Sequence, residues 1–130
     1  MRIKLGTVGH FSLAVRDPEA SAAWWRRNFD LAEIFRFDEA IGISNDAITI
    51  ALFAGTPGPH VLEHMSFHLL SMDELRAALR QLKGNGVVLE DPGDEIGPEA
   101  PGSPHMGLWF HDPDGYRWEL SVQNGAAQRG

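Results

Sequence analysis

Three side chains in this 130-residue sequence are of the types that hold a divalent metal ion, namely His10, His64 and Glu119. Each histidine stands near the start of a segment in which apolar residues alternate with other residues, and the glutamate lies in the middle of a similar segment. Two imidazoles and one carboxylate suit Fe, Mn, Ni, Co or Zn as a divalent ion and leave coordination positions open for a substrate. Such a metal would hold two adjacent oxygens and lower the cost of an enolate or alkoxide.

Two further side chains are candidates for a catalytic part. His68 follows His64 by four residues in the run EHMSFHL. Four residues of strand span about 13 Å, whereas a metal–nitrogen bond is about 2 Å, so the two histidines cannot serve one metal. His68 is therefore predicted to be a general base, a substrate contact or a hydrogen-bonded wall residue. Arg117 shares a strand face with Glu119, and it is predicted to orient that carboxylate, to bind a substrate oxygen or to form an ion pair.

The elements that must position these side chains begin with a strand and a helix. Residues 7–15 alternate between apolar and other side chains, which predicts a half-buried strand. Asp17 as N-cap and Pro18 at the first helical position predict a helix that runs to about Asn28. Three short strand-like runs follow, from Leu31, Ala40 and Ala47. Together these elements form a first module over about residues 7–54.

A second series of elements follows a linker at about residues 55–61. Two glycines and two prolines in AGTPGPH mark that linker. The alternating run EHMSFHL then predicts another strand, and Ser71 with Glu74 forms a capping-box pattern for a helix that ends at Gly84-Asn85-Gly86. The remaining predicted elements are strands from Val87, Gly107 and Tyr116, a turn at 112–115, and an acidic Gly/Pro-rich loop at about 91–104.

The second module is expected to cover about residues 62–123, with a C-terminal tail at 124–130. Both modules are expected to belong to a single domain of 130 residues. The acidic loop is expected either to be a solvated connection or to fold over the site as a lid.

The two modules align at an offset of 54 residues. His10 meets His64 and Ser12 meets Ser66, with apolar residues at the alternating positions between them. His68 aligns with Ala14, so His64 is the predicted ligand of the second module. Because each half also repeats the order strand, helix and three strands, the sequence predicts an α+β fold of two tandem βαβββ modules that form a curved, cleft-shaped, eight-stranded mixed sheet.

Composition narrows the classes of partner. A formal net charge of −7 and the absence of a Lys/Arg cluster argue against nucleic acid and acidic membranes, and they favour a small-molecule substrate. With no cysteine, any metal must be held by His, Asp, Glu or water. No transmembrane run is present, and glycines interrupt the N-terminal apolar stretch, so we expect a cytoplasmic protein.

Two motifs carry a resemblance to a known family. GHFSLAVRDPEASAAWWRRNFDL is similar to the first-module opening, and FHDPDGYRWEL to the closing hairpin, of the vicinal oxygen chelate superfamily, which includes glyoxalase I, bleomycin-resistance proteins and extradiol dioxygenases. The resemblance covers roughly residues 7–123. It implies one divalent metal whose ligands correspond to His10, His64 and Glu119. It also implies a possible homodimer, since dimers are common among similar proteins.

The resemblance leaves the reaction open among ring-cleaving dioxygenation, isomerisation or epimerisation through an enolate, and lyase-like addition chemistry. It suggests three substrate contacts, namely Trp109, His111 and His105. Trp109 stands where type I extradiol dioxygenases have a tyrosine, and an indole cannot replace a phenol hydroxyl as an acid. His105 lies near the sequence position of a histidine in those enzymes, but it is closer to the closing hairpin.

One departure from the family's pattern and one alternative function remain to be considered. The position opposite Glu119 in the first module falls on Ile50, or on Thr49 if the register slips by one, so the four-ligand arrangement of glyoxalase I is not expected. The alternative to an enzyme is a metal-free, antibiotic-sequestering protein of the bleomycin-resistance type, in which Trp109 and Trp118 line a drug pocket. Its acidic surface would suit a cationic drug.

Overall fold

The structure is a computed structural model, and it describes residues 1–128. Those residues form nine β-strands, two α-helices and one 3-10 helix at Gly125–Ala127. The strands and α-helices are β1 (Phe11–Val15), α1 (Pro18–Asn28), β2 (Ala32–Phe37), β3 (Ala40–Ser44), β4 (Thr49–Ala54), β5 (Met65–His68), α2 (Met72–Gly84), β6 (Val88–Leu89), β7 (Gly97–Pro98), β8 (Met106–His111) and β9 (Arg117–Val122). The chain divides into two compact units, Met1–Pro57 and Gly58–Gly130, at a point inside the predicted linker.

The first module is a four-stranded mixed sheet with strand order β1-β4-β3-β2. The opening strand lies parallel to β4, and the other pairs are antiparallel. Helix α1 packs against β3 and β4 and buries Trp25. It begins at Pro18 because the Asp17 carboxylate accepts hydrogen bonds from the backbone N–H groups of Glu19 and Ala20 at 3.0 and 3.3 Å. The predicted helix bounds are therefore confirmed.

The second module repeats this order with a sheet β5-β9-β8-β6 and a short strand β7 that also pairs with β8. Its opening strand again lies parallel to its last strand, with Met65 opposite Trp118. Helix α2 packs against β8 and β9, whose buried side chains include Leu108, Phe110 and Leu120. The predicted α+β fold of two βαβββ modules is confirmed, and each module has its own sheet.

Two details differ from the sequence prediction of eight strands. A ninth strand, β7, lies inside the loop predicted at 91–104, with Gly97 opposite Gly107. A two-residue Gly-Pro strand has no alternation of side chains by which a sequence could reveal it. The opening strand also starts at Phe11 rather than at residue 7, because its partner strand begins only at Thr49. His10 and His64 therefore each lie immediately before a strand.

The DPDG turn between β8 and β9 is held by one buried carboxylate. The Oδ1 atom of Asp112 accepts hydrogen bonds from the backbone N–H groups of Asp114 and Tyr116, at 2.9 and 3.1 Å. Its Oδ2 atom accepts one from the indole N–H of Trp118 at 3.2 Å. Gly115 completes the turn with a φ of 89°, a left-handed conformation that favours glycine. The turn thereby fixes where β9 begins.

The predicted tail at 124–130 is partly helical. The 3-10 helix is fastened to the second module, because Gln128 Oε1 accepts a hydrogen bond from the Met72 backbone N–H at 3.1 Å. Residues 129–130 of the predicted tail lie outside the described residues. Among residues 1–128, no helix has the length and apolar character needed to cross a membrane.

Candidate metal site

One face of the second sheet carries most of the predicted functional side chains. Strand pairing places both Ser66 and Trp109 opposite Glu119, and it places His111 opposite Arg117. The alternate side chains of these strands, such as Leu108 and Trp118, form the buried core instead. The face contains His64, Ser66, His68, Gly107, Trp109, His111, Arg117, Glu119 and Ser121.

Glu119 is the buried carboxylate of this face, with 0% of its surface exposed. Neither of its two oxygens has a hydrogen-bond partner among the described residues. The carboxylate lies over Gly107 of the neighbouring strand, where a Cβ atom would come within 2.3 Å of Oε2. Glycine at position 107 therefore makes the room in which the carboxylate sits.

Burial raises the pKa of Glu119 to about 7, and repulsion by the Glu99 carboxylate adds to the effect. The nearby Ser66 hydroxyl and His64 lower this pKa in part. Carboxylate oxygens only accept hydrogen bonds, so Glu99 and Glu119 can bond to each other only when one of them is protonated. When both are ionised, the buried carboxylate lacks a compensating charge, and a cation would supply one.

His64 presents one ring nitrogen to a carboxylate and leaves the other available. Its Nδ1 lies 2.5 Å from Oε1 of Glu63, and 34% of its side chain is exposed. The ring stands edge-on to Trp109, with centroids 4.6 Å apart and an interplanar angle of 81°. A carboxylate on one nitrogen of a histidine is the usual support for a metal on the other nitrogen.

Arg117 is engaged in ion pairs. Its Nε and Nη2 atoms donate to the two oxygens of Glu90 at 2.7 and 2.9 Å. Its Nη1 atom donates to Glu63 Oε1 at 2.9 Å, and the guanidinium carbon lies 4.2 Å from the centre of the Trp109 ring. The hydrogen bond from Arg117 lowers the pKa of Glu90. Of the three predicted roles, the structure contains the ion pair, and it contains no bond from Arg117 to Glu119.

The other predicted histidines of the second module have separate partners. His111 Nε2 lies 2.7 Å from Glu90 Oε2, the oxygen that also accepts a hydrogen bond from Arg117 Nε. His105 Nδ1 accepts a hydrogen bond from the Asn124 backbone N–H at 2.9 Å, which ties the tail to the sheet. His68 is exposed at the end of β5, where its Nε2 lies 3.4 Å from the Gln123 amide nitrogen.

His10 lies in the first unit, exposed and immediately before β1. The register of that module corrects one sequence inference. Phe11 pairs with Ile50 as Met65 pairs with Trp118, so the residue equivalent to Glu119 is Ala51, and neither Ile50 nor Thr49. A short alternating strand does not fix its pairing partner to one residue, which explains the slip. Alanine has no donor atom, so this position supplies no fourth ligand.

The donor chemistry fits a divalent metal in the second module. A buried carboxylate without a donor and an imidazole nitrogen supported from behind are typical of such ligands. Among residues 1–128, no three His, Asp or Glu side chains are already gathered as a ligand set. Sequence reasoning missed Glu63, Glu90 and Gly107; for the first, the signal was its place next to a predicted ligand.

The sequence matches the family model of the Glyoxalase/Bleomycin resistance protein/Dioxygenase superfamily over residues 7–120. No curated protein matches it. Solved structures with this fold include a fosfomycin resistance protein, FosX, from Listeria monocytogenes, complexed with Mn(II) and sulfate ion (20% identity, 92% of each chain covered, TM-score 0.74). They also include a lactoylglutathione lyase from Agrobacterium tumefaciens (14% identity, 93% of this chain and 97% of that chain, TM-score 0.71). At these identities the likeness concerns the fold.

Proposed function

Because the chain belongs to the Glyoxalase/Bleomycin resistance protein/Dioxygenase superfamily, we propose that it is a small enzyme that depends on one divalent metal ion. The observation that carries this proposal is the Glu119 carboxylate, which is fully buried over Gly107 without a hydrogen-bond donor. A buried charge of this kind is costly unless a cation balances it. The Mn(II) bound by FosX, a protein of the same fold, adds support.

The proposed ligands in the second module are His64 and Glu119, and His10 stays a ligand predicted from the sequence. The bound metal would act as a Lewis acid toward two adjacent oxygens of a small oxygenated metabolite. Glu63 would hold the His64 ring through Nδ1 and leave Nε2 for the metal. Trp109 would provide an apolar contact for the substrate, and His68, which is exposed, would be the candidate proton carrier.

The reaction class within this family stays open among dioxygenation, isomerisation or epimerisation, and lyase-like chemistry. Arg117 is less suited to bind a substrate oxygen than its charge alone suggests, since its donors already contact Glu63 and Glu90. His111 is engaged with the same Glu90. Substrate contacts by Arg117, His105 and His111 remain predictions from the sequence.

A second candidate function is metal-free binding of a small ligand, as in the bleomycin-resistance proteins. It is favoured by the pKa of Glu119, which burial raises to about 7. A neutral carboxyl group can remain buried without a metal, and its O–H group can donate a hydrogen bond to the neighbouring Glu99 carboxylate. A metal-free protein would use this face for an uncharged or cationic ligand.

The two functions can be distinguished by measuring the metal content of the protein purified without chelator. The enzyme proposal predicts about one equivalent of a transition metal per chain in the wild type and a large loss in His64→Ala. His60→Ala, which removes an exposed histidine from the linker, is the matched control and should keep its metal. Less than about a tenth of an equivalent in the wild type, unchanged in His64→Ala, would favour the metal-free function.

If the purified protein contains a metal, the identity of that metal limits the possible reaction classes. Iron together with oxygen uptake on catechols would indicate a dioxygenase. Nickel, cobalt or manganese without oxygen uptake would indicate an isomerase or a transferase.

A further inference from the structure

We propose that Glu63 and Arg117 are positioning residues that fix the orientation of the His64 ring. In this arrangement Arg117 holds Glu63, and Glu63 holds Nδ1 of His64, so that Nε2 is the nitrogen presented to a ligand. The orientation of the ring is a property of the metal-free protein. Its purpose, the support of a metal ligand, rests on the function proposed above.

The contact between Glu63 and His64 defines the ring's orientation. Glu63 Oε1 lies 2.5 Å from Nδ1, and a carboxylate can only accept a hydrogen bond, so Nδ1 carries the proton. The tautomer with a proton on Nδ1 leaves a lone pair on Nε2, which is the form that a metal requires. The edge-on contact with Trp109, at 4.6 Å, limits rotation of the same ring.

Arg117 acts on this pair through a shared atom. Its Nη1 donates at 2.9 Å to the same Oε1 atom of Glu63 that faces His64. The side chain of Glu63 is 75% exposed and would move freely without such a tie. Arg117 is itself fixed from two further directions, by the two bonds to Glu90 and by the Trp109 ring below its guanidinium. A planar guanidinium held on three sides is a rigid support for a mobile carboxylate.

The duplication supplies an internal comparison. At the offset of 54 residues, Glu63 corresponds to Gly9, so His10 has no carboxylate before it in the chain. Arg117 likewise has no arginine equivalent, since the corresponding position in the first module is Thr49. The positioning device therefore belongs to the second module alone. Only His64 should have a tautomer fixed by this mechanism.

The first test measures the histidine tautomers in the metal-free protein by two-bond 1H–15N NMR at a pH where imidazole is neutral. We expect His64 to show a single tautomer with the proton on Nδ1. In Glu63→Gln the ring should show a mixture, because an amide both donates and accepts. Glu33→Gln is the matched control, since it removes another glutamate that pairs with an arginine, and it should leave His64 unchanged.

Arg117 is tested by the same spectrum. Arg117→Gln should give a mixed His64 tautomer, and Arg117→Lys should recover only part of the wild-type signal, since an ammonium cannot bridge both carboxylates with the same geometry. A single Nδ1–H tautomer retained in Glu63→Gln would overturn the inference for both residues. If Glu63→Gln mixes the tautomers and Arg117→Gln does not, Arg117 has no positioning part.

The second test titrates the same variants with Mn2+ and follows the free ion by electron paramagnetic resonance. Glu63→Gln should bind Mn2+ about 10- to 100-fold more weakly than wild type, and Glu33→Gln should bind it equally well. Equal affinity of Glu63→Gln and wild type would overturn the metal-supporting purpose. Absence of Mn2+ binding in the wild type and in Glu63→Gln, with the tautomer fixed in the wild type and mixed in the variant, would instead count against the proposed function. Thermal unfolding of each variant checks that it is folded.

Discussion

At the scale of the residue, the Glu119 carboxyl group combines complete burial with an absence of donors. Its pKa, which burial raises to about 7, exceeds the ordinary value of 4.5. The folded state thus binds the proton more tightly than the unfolded state does, so the free energy of unfolding should fall as the pH rises from about 4.5 to about 7.

Glu119→Gln removes this ionisation while keeping the shape of the side chain. In chelator-treated protein, the variant should gain stability relative to wild type between pH 5 and pH 8, by on the order of 2 kcal/mol. Urea unfolding at both pH values measures the difference. Glu39→Gln, at an exposed position, should show no such change with pH. If wild type and Glu119→Gln differ by the same free energy of unfolding at both pH values, the burial of an ionisable group at position 119 would be contradicted.

Gly107→Ala tests the space in which that carboxylate lies. The new methyl group would meet Glu119 Oε2 at 2.3 Å, so the carboxylate must move within a packed sheet. We expect a loss of about 1–3 kcal/mol in the free energy of unfolding and weaker metal binding. Gly84→Ala, at the end of α2 where no atom lies within 4 Å of the added group, is the control and should be neutral or stabilising.

Alternation alone placed His64, Arg117 and Glu119 on one face, because side chains of a strand alternate with a period of two. It could not reveal Glu63 or Gly107. The contact of Glu63 with Arg117 joins residues 54 positions apart, one before β5 and the other in β9, and the importance of Gly107 lies in its lack of a side chain. Such facts depend on register across the sheet, which the sequence does not specify.

At the scale of the element, the turn between β8 and β9 depends on Asp112. Asp112→Asn replaces one of its accepting oxygens by a donor, which must face either the backbone N–H groups of the turn or the Trp118 indole N–H. We expect a loss of about 1–3 kcal/mol in the free energy of unfolding, measured by urea denaturation. Asp73→Asn, at a side chain that is 93% exposed, should change stability little. Equal stability of the two variants would refute the proposed importance of the turn.

The end of helix α2 is joined to the following loop by Lys83 and Glu95. Lys83 Nζ lies 2.9 Å from Glu95 Oε2, and this contact, together with backbone hydrogen bonds from Gly93 and Glu95, lowers the pKa of Glu95 to about 2. A lowered carboxyl pKa stabilises the fold above the ordinary value of 4.5, and this contribution is lost as the pH falls toward 2.

Lys83→Met should therefore unfold at a higher pH than wild type in an acid titration followed by circular dichroism. Arg80→Met, which removes an exposed charge from the same helix, should unfold at the wild-type pH. Coincident acid transitions for Lys83→Met and wild type would show that the contact does not stabilise the fold.

The bounds of elements with local signals were predicted closely, and those of elements without such signals were not. Helix α1 has a capping aspartate and a proline at its first position. Strand β7 has neither propensity nor alternation, and it exists only because β8 offers it a partner. The start of β1 is likewise decided by where its partner strand begins, which is a property of the tertiary fold.

At the scale of the whole molecule, a bound metal should change the thermal stability of the chain. A metal that binds only the folded chain raises its stability by mass action. Saturating Mn2+ should therefore raise the melting temperature of wild type by several degrees and leave those of His10→Ala and His64→Ala nearly unchanged. His60→Ala should respond as the wild type does. A full response in His10→Ala would remove that residue from the ligand set.

The parallel pairing of β5 with β9 has a consequence for the order of folding. The opening strand of the second module cannot join its sheet until Arg117–Val122, the last strand of that module, has been synthesised. Pairing across so long a chain segment is slow, because loop-closure entropy is lost before the contacts form. The strand that carries Glu119 is thus also the strand that must be synthesised before the sheet of the second module can be completed. A nascent chain that stops before it would leave Phe67 and its apolar neighbours exposed to the chaperones that bind such surfaces.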